Sequence, residues 1–257
     1  MKALALVFSL LLLGGCAGGL SIDRQHPSAN HDSRVQWVVV HYTSTDVQHS
    51  LELLTRGGVS SHYLIGEAPA TIYQLVDENR RAWHAGDSQW RGRTWLNAST
   101  IGIELVNQGY ADTPAGRVWQ PYSEAQIDAL ILLLKDIVQR HHLPIDSIIG
   151  HSDIAPQRKV DPGPLFPWRR LADAGLIRWP DAAQVARQQA LFSQQLPAPE
   201  WFAEQLRQLG FGDHAATRTW DKYIGRSRPK SVVYFFVAQH VWGAEFCIEF
   251  AGCDVGN

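Results

Sequence analysis

WVVVHYT, residues 37–43, is a short unbroken apolar run that stops at a histidine. Such a run fits a strand buried on both faces, as in a sheet covered by helices. Residues 36–42 are therefore expected to form a core strand, with His41 emerging at the sheet rim. Working outward, residues 47–56 predict a short helix closed by Gly57-Gly58, where glycine accepts the left-handed turn that follows many helices. Strands are expected at 61–65, 71–76 and 100–106. The clearest helix spans 123–141. Ser123 and Gln126 have capping-box spacing, and Ile127, Leu130, Ile131, Leu134 and Val138 recur at helical intervals. Residues 147–150 predict a strand that delivers His151 at its tip, and residues 168–173 begin a helix that stops at Gly175. Strands alternating with helices make this an α/β fold, a mixed central sheet flanked by helices.

With 257 residues the chain has room for one sizeable domain and a small appendage. Its 23 Lys+Arg against 25 Asp+Glu give a net charge of -2, so no basic excess draws it to nucleic acid. The start reads as an address. Met1-Lys2, an apolar run over 3–13 and Gly14-Gly15-Cys16 resemble a bacterial lipoprotein signal. On that resemblance residues 1–15 are cleaved and Cys16 carries the lipid, with two or more acyl chains needed for stable anchoring. Ala17 stands where Asp would favour inner-membrane retention, which points to the outer membrane, facing the periplasm. Residues 16–34 are polar and aperiodic, a tether. Cys247 and Cys253 remain, and an oxidising compartment permits them to pair.

The chemistry concentrates in GHSDIAPQRKVDPGPLFPW, residues 150–168. His151 and Asp161, taken with His41, supply two imidazoles and one carboxylate, the donor mix of a catalytic zinc site with its fourth position open. Pro156, Pro162 and Pro164 stiffen the loop that carries Asp161. Lys159 lies two residues before Asp161 and, in extended chain, points the same way. Glu104 in TIGIEL has parity opposite to Ile101 and Ile103. A carboxylate inside an apolar strand is costly unless it is paired or functional. These types suggest hydrolysis, with Glu104 as general base and Lys159 facing a developing oxyanion.

VVVHYT, SSHYLI, WHAG, TIGIEL and GHSDIAPQRKVDPGPLFPW, in that order, resemble the type 2 zinc N-acetylmuramoyl-L-alanine amidases, relatives of T7 lysozyme and of peptidoglycan-recognition proteins. The resemblance covers residues 35–180 and implies a catalytic domain there. It implies one zinc ion on His41, His151 and Asp161, with Glu104 and Lys159 as the catalytic pair. The substrates it implies are peptidoglycan and muropeptides, ordinary or anhydro, acted on by a monomer. It also matches Tyr63 and His84 to the cleft, and suggests Asn97 and Arg158 as contacts to the muramyl or peptide parts. His62 should face away from Tyr63 and is not counted as a ligand. Two rivals are a wall-binding sensor without catalysis and a zinc peptidase acting within the stem peptide. Residues 181–257 are expected to form a helical, incomplete peptidoglycan-binding-like module. Helices are expected at 184–194 and 199–209, the latter with Trp201, Phe202, Leu206 and Leu209 on one side. The strand-like text after Gly212 fits no architecture.

Overall fold

The computed structural model describes residues 20–179, 181–195 and 197–212. The leader with Cys16, and the tail with Cys247 and Cys253, lie outside the described residues. Two units separate at Asp32. Residues 20–32, in the first, are exposed and carry no helix or strand.

The second unit is built on a five-stranded sheet. β1 (Trp37–Tyr42) leads into α1 (Val47–Arg56), then β2 (Tyr63–Ile65) and β3 (Ile72–Gln74). The small hairpin β4 (Gln89–Trp90) and β5 (Arg93–Thr94) precedes β6 (Thr100–Leu105). An exposed hairpin of β7 (Tyr110–Thr113) and β8 (Gly116–Trp119) leads to α2 (Glu124–His141). β9 (Ile148–Gly150), the single turn α3 (His151–Ile154) and α4 (Trp168–Asp173) complete the α/β part, and α5 (Ala182–Gln194) and α6 (Pro199–Leu209) follow. The strand order is β3-β2-β6-β1-β9, with β3 antiparallel and the rest parallel. A mixed sheet flanked by helices is thus borne out.

Alternation along the strands divides the sheet into two unlike faces. Val38, Val40, Ile101, Ile103 and Ile148 point to one side and pack with Ile127, Leu130, Leu134 and Ile137 of α2. Each such buried aliphatic side chain contributes about 1.5–3 kcal/mol relative to exposure. The other face carries His41, His62, Thr100, Gly102 and Glu104, and this is where the chemistry lies.

Two local expectations change. Gly57 closes α1 in an extended conformation (φ -82°, ψ -171°), not a left-handed one. Its need for glycine is steric, since a Cβ there would lie 2.4 Å from the Leu53 carbonyl oxygen. At α2 only half of the capping box forms. The Gln126 amide donates to Ser123 Oγ at 3.2 Å, but the Gln126 side chain turns inward. Its Nε2 donates to the carbonyls of Ile65 and Val106, tying the helix to the sheet. At and just after the end of α6, Leu206 and Phe211 are buried, and the Phe211 ring meets Trp90 edge-on at 5.1 Å.

Candidate metal centre and active-site cleft

β6, β1 and β9 lie side by side and run in the same direction, so their carboxyl ends form one rim, where open α/β sheets bind ligands. His41 is next to last in β1 and stands in register with Glu104, next to last in β6. His151 follows β9 directly. Asp161 returns to the rim on the loop after α3, where its carbonyl accepts from the Ser152 amide at 2.8 Å. Tyr122 Oη secures the next residue by donating to the Pro162 carbonyl at 2.7 Å.

The three side chains converge. His41 Nδ1 and His151 Nδ1 are 2.9 Å apart, and Asp161 Oδ2 lies 3.2 Å from the first and 3.0 Å from the second. All three residues are buried. Among the described residues these form the group able to hold a metal ion. Ligand atoms at 2.0–2.1 Å around a tetrahedral zinc would be about 3.3 Å from one another, close to what is found. Burial holds the His41 imidazole neutral, with its pKa down to about 4, and the neighbouring His151 acts in the same direction. Burial opposes the charge on Asp161. Hydrogen bonds with His151 and His41 outweigh it and keep the carboxyl well below its usual range. Two imidazoles beside an ionised carboxylate are a donor set that zinc accepts, and the residues fit that ion.

A cleft of about 360 Å³ opens over this centre, lined by the three ligand candidates together with Glu104, Lys159 and Arg158. Glu104 Oε2 is enclosed and has no hydrogen-bond partner. Burial pushes the Glu104 carboxyl up to about 8, Asp161 adds to the rise, and Lys159 works against it. An unpartnered carboxylate oxygen in such a place is costly and fits a group reserved for a proton in transit.

The remaining candidates part company. His84 is buried within the site, but its ring is taken up by protein partners. Its Nδ1 lies 3.0 Å from His41 Nε2, and its Nε2 lies 3.1 Å from Thr100 Oγ1. Asn97 lies behind the cleft wall, its Oδ1 accepting from the amides of His84 and Ala85 at 3.0 and 2.7 Å. Arg158 lines the cleft and donates to the carbonyls of Ala85 and Asp87. Tyr63 does not line it. It faces the α2 core, and its hydroxyl donates to Glu78 at 2.7 Å. His62 is the neighbour on the site face, in edge contact with His84 at 5.8 Å and away from the ligand atoms. Sequence reasoning missed Tyr42, Trp83 and Tyr110 on the cleft wall. Tyr42 and Trp83 lie inside the quoted motifs VVVHYT and WHAG, whereas aromatic type was the only signal Tyr110 gave.

Residues 31–164 match the family N-acetylmuramoyl-L-alanine amidase. The chain belongs to this family. The amidase is 46% identical to N-acetylmuramoyl-L-alanine amidase AmiD of Escherichia coli over 194 residues, 70% of each protein. A solved complex of E. coli AmiD with the substrate anhydro-N-acetylmuramic acid-L-Ala-D-gamma-Glu-L-Lys superimposes with a TM-score of 0.71. It shows 35% identity and covers 89% of this chain and 88% of that one. AmpDh3 of Pseudomonas aeruginosa in complex with anhydromuramic pentapeptide gives 0.71 at 32% identity, over 88% and 91%. Family and fold agree with the expectation drawn from the five sequence motifs.

Proposed function

We propose that this amidase hydrolyses the amide between N-acetylmuramic acid, ordinary or anhydro, and L-alanine in peptidoglycan and muropeptides, with one zinc ion on His41, His151 and Asp161. The observation that carries the reading is the convergence of these three donors beside a Glu104 oxygen that is enclosed and unpartnered. The relatives solved with anhydro-muramyl peptides support the substrate class. When bound, zinc supplies Lewis-acid polarisation of the scissile carbonyl and acidifies water. Glu104 takes a proton from the attacking water and returns it to the departing amine. A pKa near the working pH suits both transfers. Lys159 holds positive charge close to the carbonyl oxygen as that oxygen becomes anionic.

Product mass analysis on an anhydro-muropeptide tests this. The wild type should release the intact stem peptide and leave muramic acid with a free carboxylate. Glu104→Gln should keep its zinc and lose roughly 10²–10⁴-fold in turnover, whereas His151→Ala should lose both metal and activity. An active Glu104→Gln enzyme removes the base assignment, and cleavage inside the stem peptide makes the enzyme a peptidase.

We further propose that residues 1–15 are removed, that Cys16 carries lipid, and that the monomer sits on the outer membrane facing the periplasm. The support is the basic start, the apolar run and the cysteine, followed by exposed residues without helix or strand over 20–32. On this reading residues 35–180 are the catalytic domain and 181–257 a partial wall-binding-like appendage. Labelling with palmitate, and release of Cys16→Ala into the soluble fraction, test the anchor.

A further inference from the structure

The Trp83–Gly86 loop contributes two groups behind the ligand histidines, and the hydrogen bonds around them can be followed from ends whose roles are fixed. A carbonyl oxygen can only accept. Thr100 Oγ1 lies 2.7 Å from the Leu96 carbonyl, so its hydroxyl donates there. Thr100 Oγ1 then accepts from His84 Nε2–H at 3.1 Å. With its proton on Nε2, the neutral His84 ring leaves Nδ1 as an acceptor, and it receives His41 Nε2–H at 3.0 Å. His41 Nδ1 is thereby left bare, aimed at His151 Nδ1 and Asp161 Oδ2. A second, shorter line ends in the same way. His151 Nε2 lies 3.3 Å from the Ala85 carbonyl and must donate to it, so that in the neutral form of the ring Nδ1 is the bare nitrogen here as well.

The loop is held for this task from several sides. Asn97 Oδ1 accepts from the amides of both His84 and Ala85. Arg158 donates to the Ala85 carbonyl beside His151. The His84 ring lies so close over β6 that a Cβ on Gly102 would meet its Cγ at 2.4 Å. Only glycine leaves that ring its place.

We infer that His84 and Thr100, with the Ala85 carbonyl, are positioning groups that fix the tautomers of His41 and His151, so that both present an unprotonated Nδ1 to a metal ion. Outer partners of this kind orient ligand imidazoles and raise their basicity. Asn97 and Arg158 act one step further out, on the loop. His84, on the cleft wall, and Asn97, behind it, thus serve as support for the metal centre. The inference rests on the metal reading of the site and adds the reason its ligands are preset.

Two pairs of variants test it, each with a conservative member. Thr100→Val removes both the donor and the acceptor at nearly constant shape, and Thr100→Ser keeps them. His84→Leu breaks the line, while His84→Gln supplies an oxygen toward His41 and an NH₂ toward Thr100. Zinc affinity, measured by competition with a chromogenic chelator, should fall on the order of 10- to 100-fold in Thr100→Val and His84→Leu. The Ser and Gln variants should stay within a few-fold of wild type. Long-range ¹H–¹⁵N spectra of the metal-free protein at pH 8 should show the His41 proton on Nε2, and Thr100→Val should shift it toward a tautomer mixture. A proton on His41 Nδ1 in the metal-free wild type, or equal zinc affinity across all four variants, overturns the inference. If His84→Leu does not fold, by circular dichroism, the threonine pair decides alone. A wild type that binds no zinc removes the metal reading, and the metal-free spectrum still decides the tautomer.

Discussion

Glu104 stands where β6 would be more stable with an apolar side chain, and the cost has a sign that can be measured. In the unfolded chain its carboxyl titrates near its ordinary value of 4.5. In the fold, burial first and Asp161 second push it up to about 8. Between these two values the folded chain binds more protons than the unfolded one, so stability falls as pH rises through that window. We expect metal-free Glu104→Gln to exceed metal-free wild type by on the order of 1–3 kcal/mol at pH 8, with the gap closing towards pH 4.5. Urea denaturation in the presence of a chelator measures it, and a gap independent of pH would show that the carboxyl is not the cause. The parity that singled out Glu104 was legible in six letters, TIGIEL. Tyr63 shows the limit of the same rule. Alternation says that residues 62 and 63 face opposite sides of their strand, but not which side holds the cleft. That depends on what packs against each face, and α2, sixty residues away, takes the Tyr63 side.

Strands and helices with a buried face were legible, because burial imposes a period on their side chains. β1, β6 and α2 fall within a residue of their expected limits. The hairpin of β7 and β8 was not foreseen, since nearly all its residues are exposed and no alternation marks them. Local pairing holds it, with the Arg117 guanidinium 3.6 Å from the centre of the Tyr110 ring and bonded to Asp112 at 2.9 Å. Nor does sequence reveal that β6, β1 and β9 are neighbours, which is what brings Glu104, His41 and His151 to one rim. The two faces of that sheet should be separable by mutation. Leu134 of α2 is fully buried on the face opposite the metal ligands. Leu134→Ala should cost about 2–5 kcal/mol of stability through the cavity it leaves. Zinc affinity of the folded fraction should be unchanged within a few-fold. A denaturation curve and a zinc titration on one preparation check both halves, and a large loss of affinity would mean that the faces are mechanically coupled.

The proposed metal ligands are far apart along the chain, His151 standing 110 positions and Asp161 120 positions after His41. An unfolded chain therefore offers no preformed site, and zinc binding becomes folding free energy. The two motifs that supply the three donors could be read singly from the sequence, but their meeting is a property of the completed sheet and of the loop from α3 to α4. Linkage gives the size of the effect. At free zinc about one hundred times its dissociation constant, the folded state gains about 2.7 kcal/mol. For a domain of this size that corresponds to a rise in melting temperature of about 5–10 °C. Adding a chelator should lower the midpoint of wild type by that amount, and restoring zinc should return it. His151→Ala should melt at one temperature in both conditions, because one imidazole and one carboxylate cannot grip the ion against the chelator. Glu104→Gln should keep the full zinc-dependent rise while losing roughly 10²–10⁴-fold in turnover, as expected if its side chain serves the proton and not the ion. If the zinc-dependent rise disappears in Glu104→Gln, that carboxylate is a fourth ligand and the division of labour in the cleft must be redrawn.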